Sequence, residues 1–488
     1  IDPQPPPGQA DRALFAIQSK SKHSGDSAGQ PSRGPPPPFG TGYITHFLPA
    51  LRSNPFLGPI NQPPPPNLSA MTLEISRRVA SLKPSVTVAF MNRAKSLKAA
   101  GQDVLNFSAG EPDFDTPRLI KDAAIASLNA GTTKYMPTLG TPEARAAIAR
   151  KLTVENGIPN CTPDHVAIGS GGKHSLFVAC HVLLDEPKPG EPAQEVLLPV
   201  PTWVSYAPIA ELAGGKVIEL PTSPDRDFKV TAEQVRRAIT PRSRLLILNS
   251  PSNPCGTMYT PDELKAIGKV VAEAARTIAP NLIVLSDEIY EKITYGGIPH
   301  YSIGSDPEIA ERVVTLNGLS KAYAMTGWRI GYIAGSGEFG KRFANAMAVL
   351  QGQMSTNITS FVYASIKAAL EQCDGEVARM RDAFASRAAL INERLAGVPG
   401  VRNIRATGAF YAFPDVSAHF GKTSKGGKPI NSAMDFCEAL LAEELVAFVP
   451  GEDFGGCGRN HVRISFACSE DHINRGIDRL AKFVAGLR

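Results

Sequence analysis

The run Gly318-Leu-Ser-Lys321 places a lysine just after an apolar stretch, residues 312–316, that reads as a strand. An amine held there, desolvated and near other cations, has a lowered pKa and becomes a nucleophile. Other apolar stretches also run into groups with chemistry of their own. Residues 166–170 lead into Gly171, Gly172 and Lys173. Free amides at a helix start with no side chains in the way bind phosphate, although a glycine pair also serves a plain strand-to-helix turn. Residues 244–249 lead into Asn249-Ser-Pro-Ser-Asn253-Pro-Cys-Gly256. Prolines stiffen that loop, and Asn253 can offer its amide to a ring oxygen. Residues 282–286 lead into Asp287-Glu-Ile-Tyr290. Taken alone, Asp287 reads as a cap for the next helix or as a partner for a buried cation.

These groups matter only if one fold gathers them. Further short apolar runs lie at 195–200, 216–220 and 330–334, with helical patterns such as 173–184 and 261–275 between them. Buried runs alternating with helices predict an α/β fold with a mostly parallel sheet. In such sheets ligands lie beyond the carboxyl ends of the strands, the edge to which all these groups belong. The end of the chain differs. A helix at 432–444, two short strands around Phe448 and at 462–465, and a helix at 470–485 predict a smaller α+β domain. An amine nucleophile, an opposing carboxylate, phosphate-binding amides and a ring-stacking aromatic together fit pyridoxal phosphate. That cofactor binds a lysine covalently, and its pyridinium nitrogen wants an acidic partner.

The stretch Gly318 to Gly331 resembles the lysine signature of class I aminotransferases. Asn253-Pro-x-Gly, the Asp287/Tyr290 pair and Arg463 follow in the family's order. More narrowly, Lys83-Pro-Ser-Val-Thr87, Ser108-Ala-Gly-Glu-Pro-Asp-Phe-Asp-Thr-Pro117, Gly171-Gly-Lys173 and Ala324-Met-Thr-Gly-Trp-Arg329 resemble the prokaryotic-type (Ib) aspartate aminotransferases, some of which also transaminate prephenate. The resemblance covers about residues 72–487. It implies a fold type I pyridoxal-phosphate transferase and a ping-pong exchange between aspartate and 2-oxoglutarate. By the same resemblance Lys321 carries the cofactor and shuttles the proton, and Asp287 pairs with the pyridinium nitrogen. Asn253 and Tyr290 donate to the phenolic oxygen, and Trp203 stacks on the ring. Gly171, Gly172 and Arg329, with help from Ser320, hold the phosphate. Tyr135 reaches it from a second subunit, which implies a homodimer. Arg463 clamps the substrate's α-carboxylate, Gly110 touches substrate, and Lys173 with Thr87 faces a second carboxylate. The implied domains are an N-terminal segment 71–117 belonging to the small domain and dimer arm, a large cofactor-binding domain 118–350 and a small domain 351–488.

The chain of 488 residues carries 51 basic and 46 acidic side chains. That balance, without long like-charge blocks, gives no electrostatic case for nucleic-acid binding. No run is apolar enough for a membrane-spanning helix. Seven scattered cysteines contain no Cys-x-x-Cys pair, and the histidines lack metal-ligand spacing, so no metal site is expected. Reduced thiols fit a cytoplasmic enzyme. Of the 42 prolines, 16 fall in residues 1–70, where no Glu occurs, and this composition predicts extended, solvated chain. The first methionine, Met71, is the expected natural start, with a cleaved transit peptide as the other reading. Gly335-Ser-Gly337-Glu-Phe-Gly340 fits a dinucleotide-binding loop, yet residues 355–360 lack the acidic group that the fingerprint needs. An aminotransferase-like transcription regulator would need a DNA-binding domain in front, which a proline-rich tail does not supply. A carbon–sulfur lyase using the same cofactor is a further alternative.

Overall fold

The computed structural model describes residues 75–80, 82 and 86–488. The tail of residues 1–70, the start at Met71, and Lys83, Pro84 and Ser85 of the first motif lie outside the described residues.

Fourteen strands occur among the described residues. The first is β1 (Leu105–Asn106). A seven-stranded sheet follows, made of β2 (Val166–Gly169), β3 (Glu195–Val200), β4 (Lys216–Pro221), β5 (Ser243–Asn249), β6 (Ile283–Asp287), β7 (Val313–Gly318) and β8 (Gly331–Ala334). Last come β9 (Tyr411–Ala412), β10 (Lys422–Thr423), β11 (Pro429–Ile430), β12 (Val446–Ala447), β13 (Val449–Pro450) and β14 (Val462–Ser465). The large sheet has the order β2-β8-β7-β6-β5-β3-β4. Its pairings are parallel except for β8, which runs antiparallel to both β2 and β7. The predicted mostly parallel sheet is therefore present, with one strand reversed.

The inner strands of the sheet are buried on both faces because their apolar residues run consecutively rather than at alternate positions, whereas the edge strand β4 is largely exposed. Leu245 and Ile247 of β5 pack with Leu176 and Ala179 of the helix Gly172–Leu183 and with Phe343 and Met347 of the helix Gly337–Met354. The intervening Leu246 and Leu248 pack on the opposite side with Leu264, Ile267 and Val271 of the helix Pro261–Thr277. Thr260 starts that helix: its hydroxyl accepts from the Glu263 amide at 3.2 Å while the Glu263 carboxylate accepts from the Thr260 amide at 2.8 Å.

The remaining strands form smaller sheets. β1 pairs in parallel with β12, and β14 lies between β13 and β9 in an antiparallel sheet. The Ser465 amide donates to the Phe107 carbonyl at 2.9 Å. This ties the chain just before the site motif Ser108-Ala-Gly110 to the strand that carries Arg463. The helices Ala433–Glu444 and Glu470–Ala485 begin on Ser432 and Ser469, whose hydroxyls accept from Asp435 and His472 amides at 3.0 and 3.2 Å.

Candidate active site

Five of the strands deliver a group to one edge of the sheet. The carboxyl ends of β2, β3, β5, β6 and β7 lead to Gly172, Trp203, Asn253, Asp287 and Lys321. β8 is antiparallel, so its beginning lies at this edge and brings Arg329, two residues before it, to the same place. β14 adds Arg463 from outside the sheet. These residues line one cavity of about 310 Å³.

Lys321 donates its Nζ proton to the Gly110 carbonyl. Its ammonium lies 5.8 Å from the Phe410 ring centre and 6.0 Å from that of Tyr290. Desolvation lowers its pKa to about 8; Glu111 opposes the shift, and the fields of Arg463 and Arg329 add to it. The amine is thus partly neutral near neutral pH. Asp287 is buried and shifted the other way, up to about 6, chiefly by desolvation. The Tyr206 hydroxyl donates to its Oδ2 at 2.6 Å and the Ile289 amide to its Oδ1 at 3.2 Å, which limits the rise. The Asn249 side chain fixes the surrounding backbone, donating to the Asp287 carbonyl at 3.0 Å and accepting from the Asn253 amide at 2.9 Å.

Arg463 is 4% exposed. Its Nη1 donates to Asn253 Oδ1 at 3.1 Å and its Nη2 to the Ser108 carbonyl at 2.9 Å, while its buried Nε has no partner. The guanidinium lies over the rings of Tyr411 and Phe454 at 4.9 and 5.0 Å. A buried cation held by neutral acceptors, with a donor unused, is prepared for a carboxylate.

A second group of cations, Arg329 and Lys173, lines the same cavity. The helix Gly172–Leu183 begins without a side-chain cap. Arg329 adopts the left-handed conformation, φ 57°, and donates to the Thr326 carbonyl at 2.8 Å. Its guanidinium lies where a Cβ at Gly171 would fall, and a Cβ at Gly331 would strike the Gly171 carbonyl carbon and the Gly172 amide. Glycine is needed at both positions for this approach. Desolvation, and then the field of Arg329, lowers the pKa of Lys173 and of His174. Bare helix amides and crowded cations fit a phosphate.

The family model described as aminotransferase class I and II matches residues 102–480. The chain belongs to this family. The aspartate aminotransferase of Geobacillus stearothermophilus is 41% identical over 413 residues, 84% of this chain and 99% of that protein. The aspartate/prephenate aminotransferase of Cereibacter sphaeroides is 40% identical over 414 residues, 85% of this chain and 99% of that one. Among solved structures, the aspartate aminotransferase from Rhizobium meliloti superposes with a TM-score of 0.79 at 35% identity, covering 86% of this chain and all of that one. The Thermus thermophilus aspartate aminotransferase with maleate gives 0.75 at 38%, covering 84% and all of that chain.

Of the residues singled out in the aminotransferase's sequence, Thr87, Gly110, Gly172, Lys173, Trp203, Asn253, Asp287, Tyr290, Ser320, Lys321, Arg329 and Arg463 all line the cavity. Gly171 adjoins it. Tyr135 does not line it and is 88% exposed. Lys173 Nζ lies 5.0 Å from the Trp203 ring centre. Thr87 donates its amide and hydroxyl to Asp453 Oδ2 at 3.1 and 2.8 Å. Sequence reasoning missed Tyr206 and Tyr411. Tyr206 packs edge-on against Trp203, with ring centres 5.3 Å apart, and holds Asp287. Its one signal was an aromatic three residues after the tryptophan, at the start of the helix Tyr206–Leu212. Tyr411 shares a 2.9 Å hydrogen bond with Tyr290, and nothing in Phe410-Tyr411 said which ring would face the site.

Proposed function

We propose that this enzyme is a homodimeric, cytoplasmic aspartate aminotransferase that uses pyridoxal phosphate and passes the amino group of aspartate to 2-oxoglutarate. One observation carries the reading: an amine of lowered proton affinity and a buried carboxylate share a cavity with the cations Arg463, Arg329 and Lys173. Asp287 would hold the ring nitrogen, Asn253 and Tyr290 the phenolic oxygen, and Trp203 the ring face. The amides at Gly171–Lys173, with Arg329 and Ser320, would hold the phosphate. When bound, the cofactor supplies an electron sink for the pair left by the substrate's departing α-proton.

The chain's own groups do the rest. Arg463 takes the α-carboxylate along one edge of its guanidinium, with the unused Nε among the donors, and so orients the α-carbon. Lys173 faces the distal carboxylate, and Thr87 shapes the same pocket. Lys321 Nζ removes the α-proton and returns it to a neighbouring carbon, a role suited to a pKa of about 8. Asp287 supplies negative charge that keeps the ring nitrogen protonated. Tyr135, exposed in one protomer, would reach the phosphate of the other. The exposed Ile125 and Leu128 of the helix Arg118–Asn129 support such an interface. Five buried and two half-buried free cysteines suit a reducing compartment. The described residues of the N-terminal segment 71–117 belong with the small domain 351–488, a reading supported by the β1–β12 pairing, and 118–350 is the cofactor domain.

The test is the visible spectrum of the purified enzyme on adding aspartate without a keto acid. Conversion of the cofactor's band to that of the aminated form supports both cofactor and donor. An unchanged band removes aspartate. Pyruvate and ammonia released without an acceptor would indicate a lyase. Prephenate is the second acceptor to try, because the Lys173 cation suits its second carboxylate and a relative with that named activity is matched over 99% of its own length.

A further inference from the structure

Directly behind Asp287, on the side away from the cavity, lies a buried ionic cluster that the reaction does not touch. Glu288 follows Asp287 in the chain, and successive side chains at a strand end point to opposite sides. Glu288 Oε1 accepts from Ser286 at 2.9 Å and Ser302 at 2.7 Å; Oε2 accepts from Asn156 at 3.0 Å and lies 3.2 Å from His300 Nε2. Glu291 pairs with Lys151 and accepts from Asn156 at 2.7 Å, and its Oε2 is 3.8 Å from His300 Nε2. Lys151 also donates to Asn156 Oδ1 at 2.7 Å. Glu288, Glu291 and His300 have the spacing of a metal site, but the Lys151 ammonium already supplies a cation there.

We propose that this cluster is a positioning device that sets the electrostatic potential felt by Asp287, with His300 as its variable member. The inference rests on the cofactor reading above for its purpose and for the first of its two readouts, but not for the second. The geometry fixes the proton inventory. An ionised carboxylate can only accept, so His300 Nε2 donates to Glu288 Oε2. His300 Nδ1 is buried without a partner and is the atom at which a proton comes and goes. Two carboxylates and one ammonium leave one net negative charge when His300 is neutral and none when it is protonated. The groups facing His300 are Glu288, Glu291 and Lys151; burial opposes its charge, but the Glu288 hydrogen bond and the two carboxylate fields raise its pKa. The groups facing Asp287 are Tyr206, Tyr290, Lys321 and, from behind, Glu288, which raises its pKa.

The test uses the holoenzyme and two variants, Glu288→Gln and His300→Gln, with Glu291→Gln in reserve should the first not fold. The readout is the pH midpoint at which the bound cofactor's visible band titrates. Losing a negative charge should lower it and losing a positive one should raise it, each by about half a pH unit. A second readout needs no cofactor: the carboxyl carbon signal of Asp287, identified by its loss in Asp287→Asn, should titrate with the same opposite displacements. Opposite shifts support the proposal. No shift in either variant, or shifts of one sign in both, overturns it, since mere loosening would move both alike. Opposite carboxyl shifts without any visible band would uphold the cluster's role and reject the cofactor reading.

Discussion

Two amine–carboxylate arrangements lie on either side of the end of β6. Both are buried, yet they behave differently. In front, Lys321 and Asp287 make no ion pair; Lys321 donates to a carbonyl and Asp287 accepts from a phenol. Their pKa values are drawn toward each other, to about 8 and about 6. Behind, Lys151 and Glu291 are directly paired and share Asn156. Burial would raise the Glu291 pKa, but the fields of Lys151 and His300 and the hydrogen bonds bring it down to about 2. Burial alone therefore does not decide a buried charge; its partners do. The rear pair is complete and serves the fold. The front pair is left open, and its unmet electrostatics are what a ligand would complete.

Substitutions at the two pairs should separate these roles. Lys321→Ala should cut transamination by about 10³-fold or more while the protein still folds. Steady-state kinetics and a melting curve check both halves, and appreciable turnover would break the comparison. Lys151→Met should do the reverse, destabilising the chain by about 3–5 kcal/mol because Glu291 is left buried and unpaired. Denaturant unfolding measures it, and a neutral result would mean the rear pair is not structural.

Asp287→Asn tests the front carboxylate. Its folded pKa lies above the unfolded value of 3.8, so ionisation opposes folding: the cost is full above about pH 6 and absent below about pH 4. The cofactor-free variant should thus be more stable than the parent at pH 7, by about 1–3 kcal/mol, with the gain vanishing in acid. Glu291 has the opposite sign. Its contribution is full above its unfolded pKa of 4.5 and is lost as the pH falls through about 2, so Glu291→Gln should flatten the acid limb of a pH–stability curve. The smallest effect concerns specificity. Lys173→Ala should raise KM for aspartate about 10-fold and leave a monocarboxylic donor nearly unchanged, since one partly screened ion pair is lost. Equal effects on both donors would remove Lys173 from substrate recognition.

Much of the front side was legible in the sequence. Each predicted strand of the large sheet falls within two residues of the observed one, because strands of a mostly buried sheet read as short apolar runs bounded by turn residues. Lys321, Asp287 and Asn253 could be singled out because they follow such runs. The rear cluster was not legible. Lys151 sits in an ordinary helix, and Asn156 and His300 sit in loops; nothing local distinguishes them from solvated residues. Nor did the sequence reveal the two-residue strand β9, whose register places Tyr411 beside Tyr290.

The amino-acid sequence by itself determined the alternation of strands and helices, the capped helix starts and which groups stand at strand ends, since these depend on neighbours a few residues apart. Only the tertiary structure decided that β8 runs backwards, which brings Arg329 to the cavity edge, and that β14 brings Arg463 across to Asn253. It alone decided which buried charges find partners. Pairing in three dimensions joins residues 140 positions apart, as in Lys151 and Glu291, and leaves others within the same cavity unpaired.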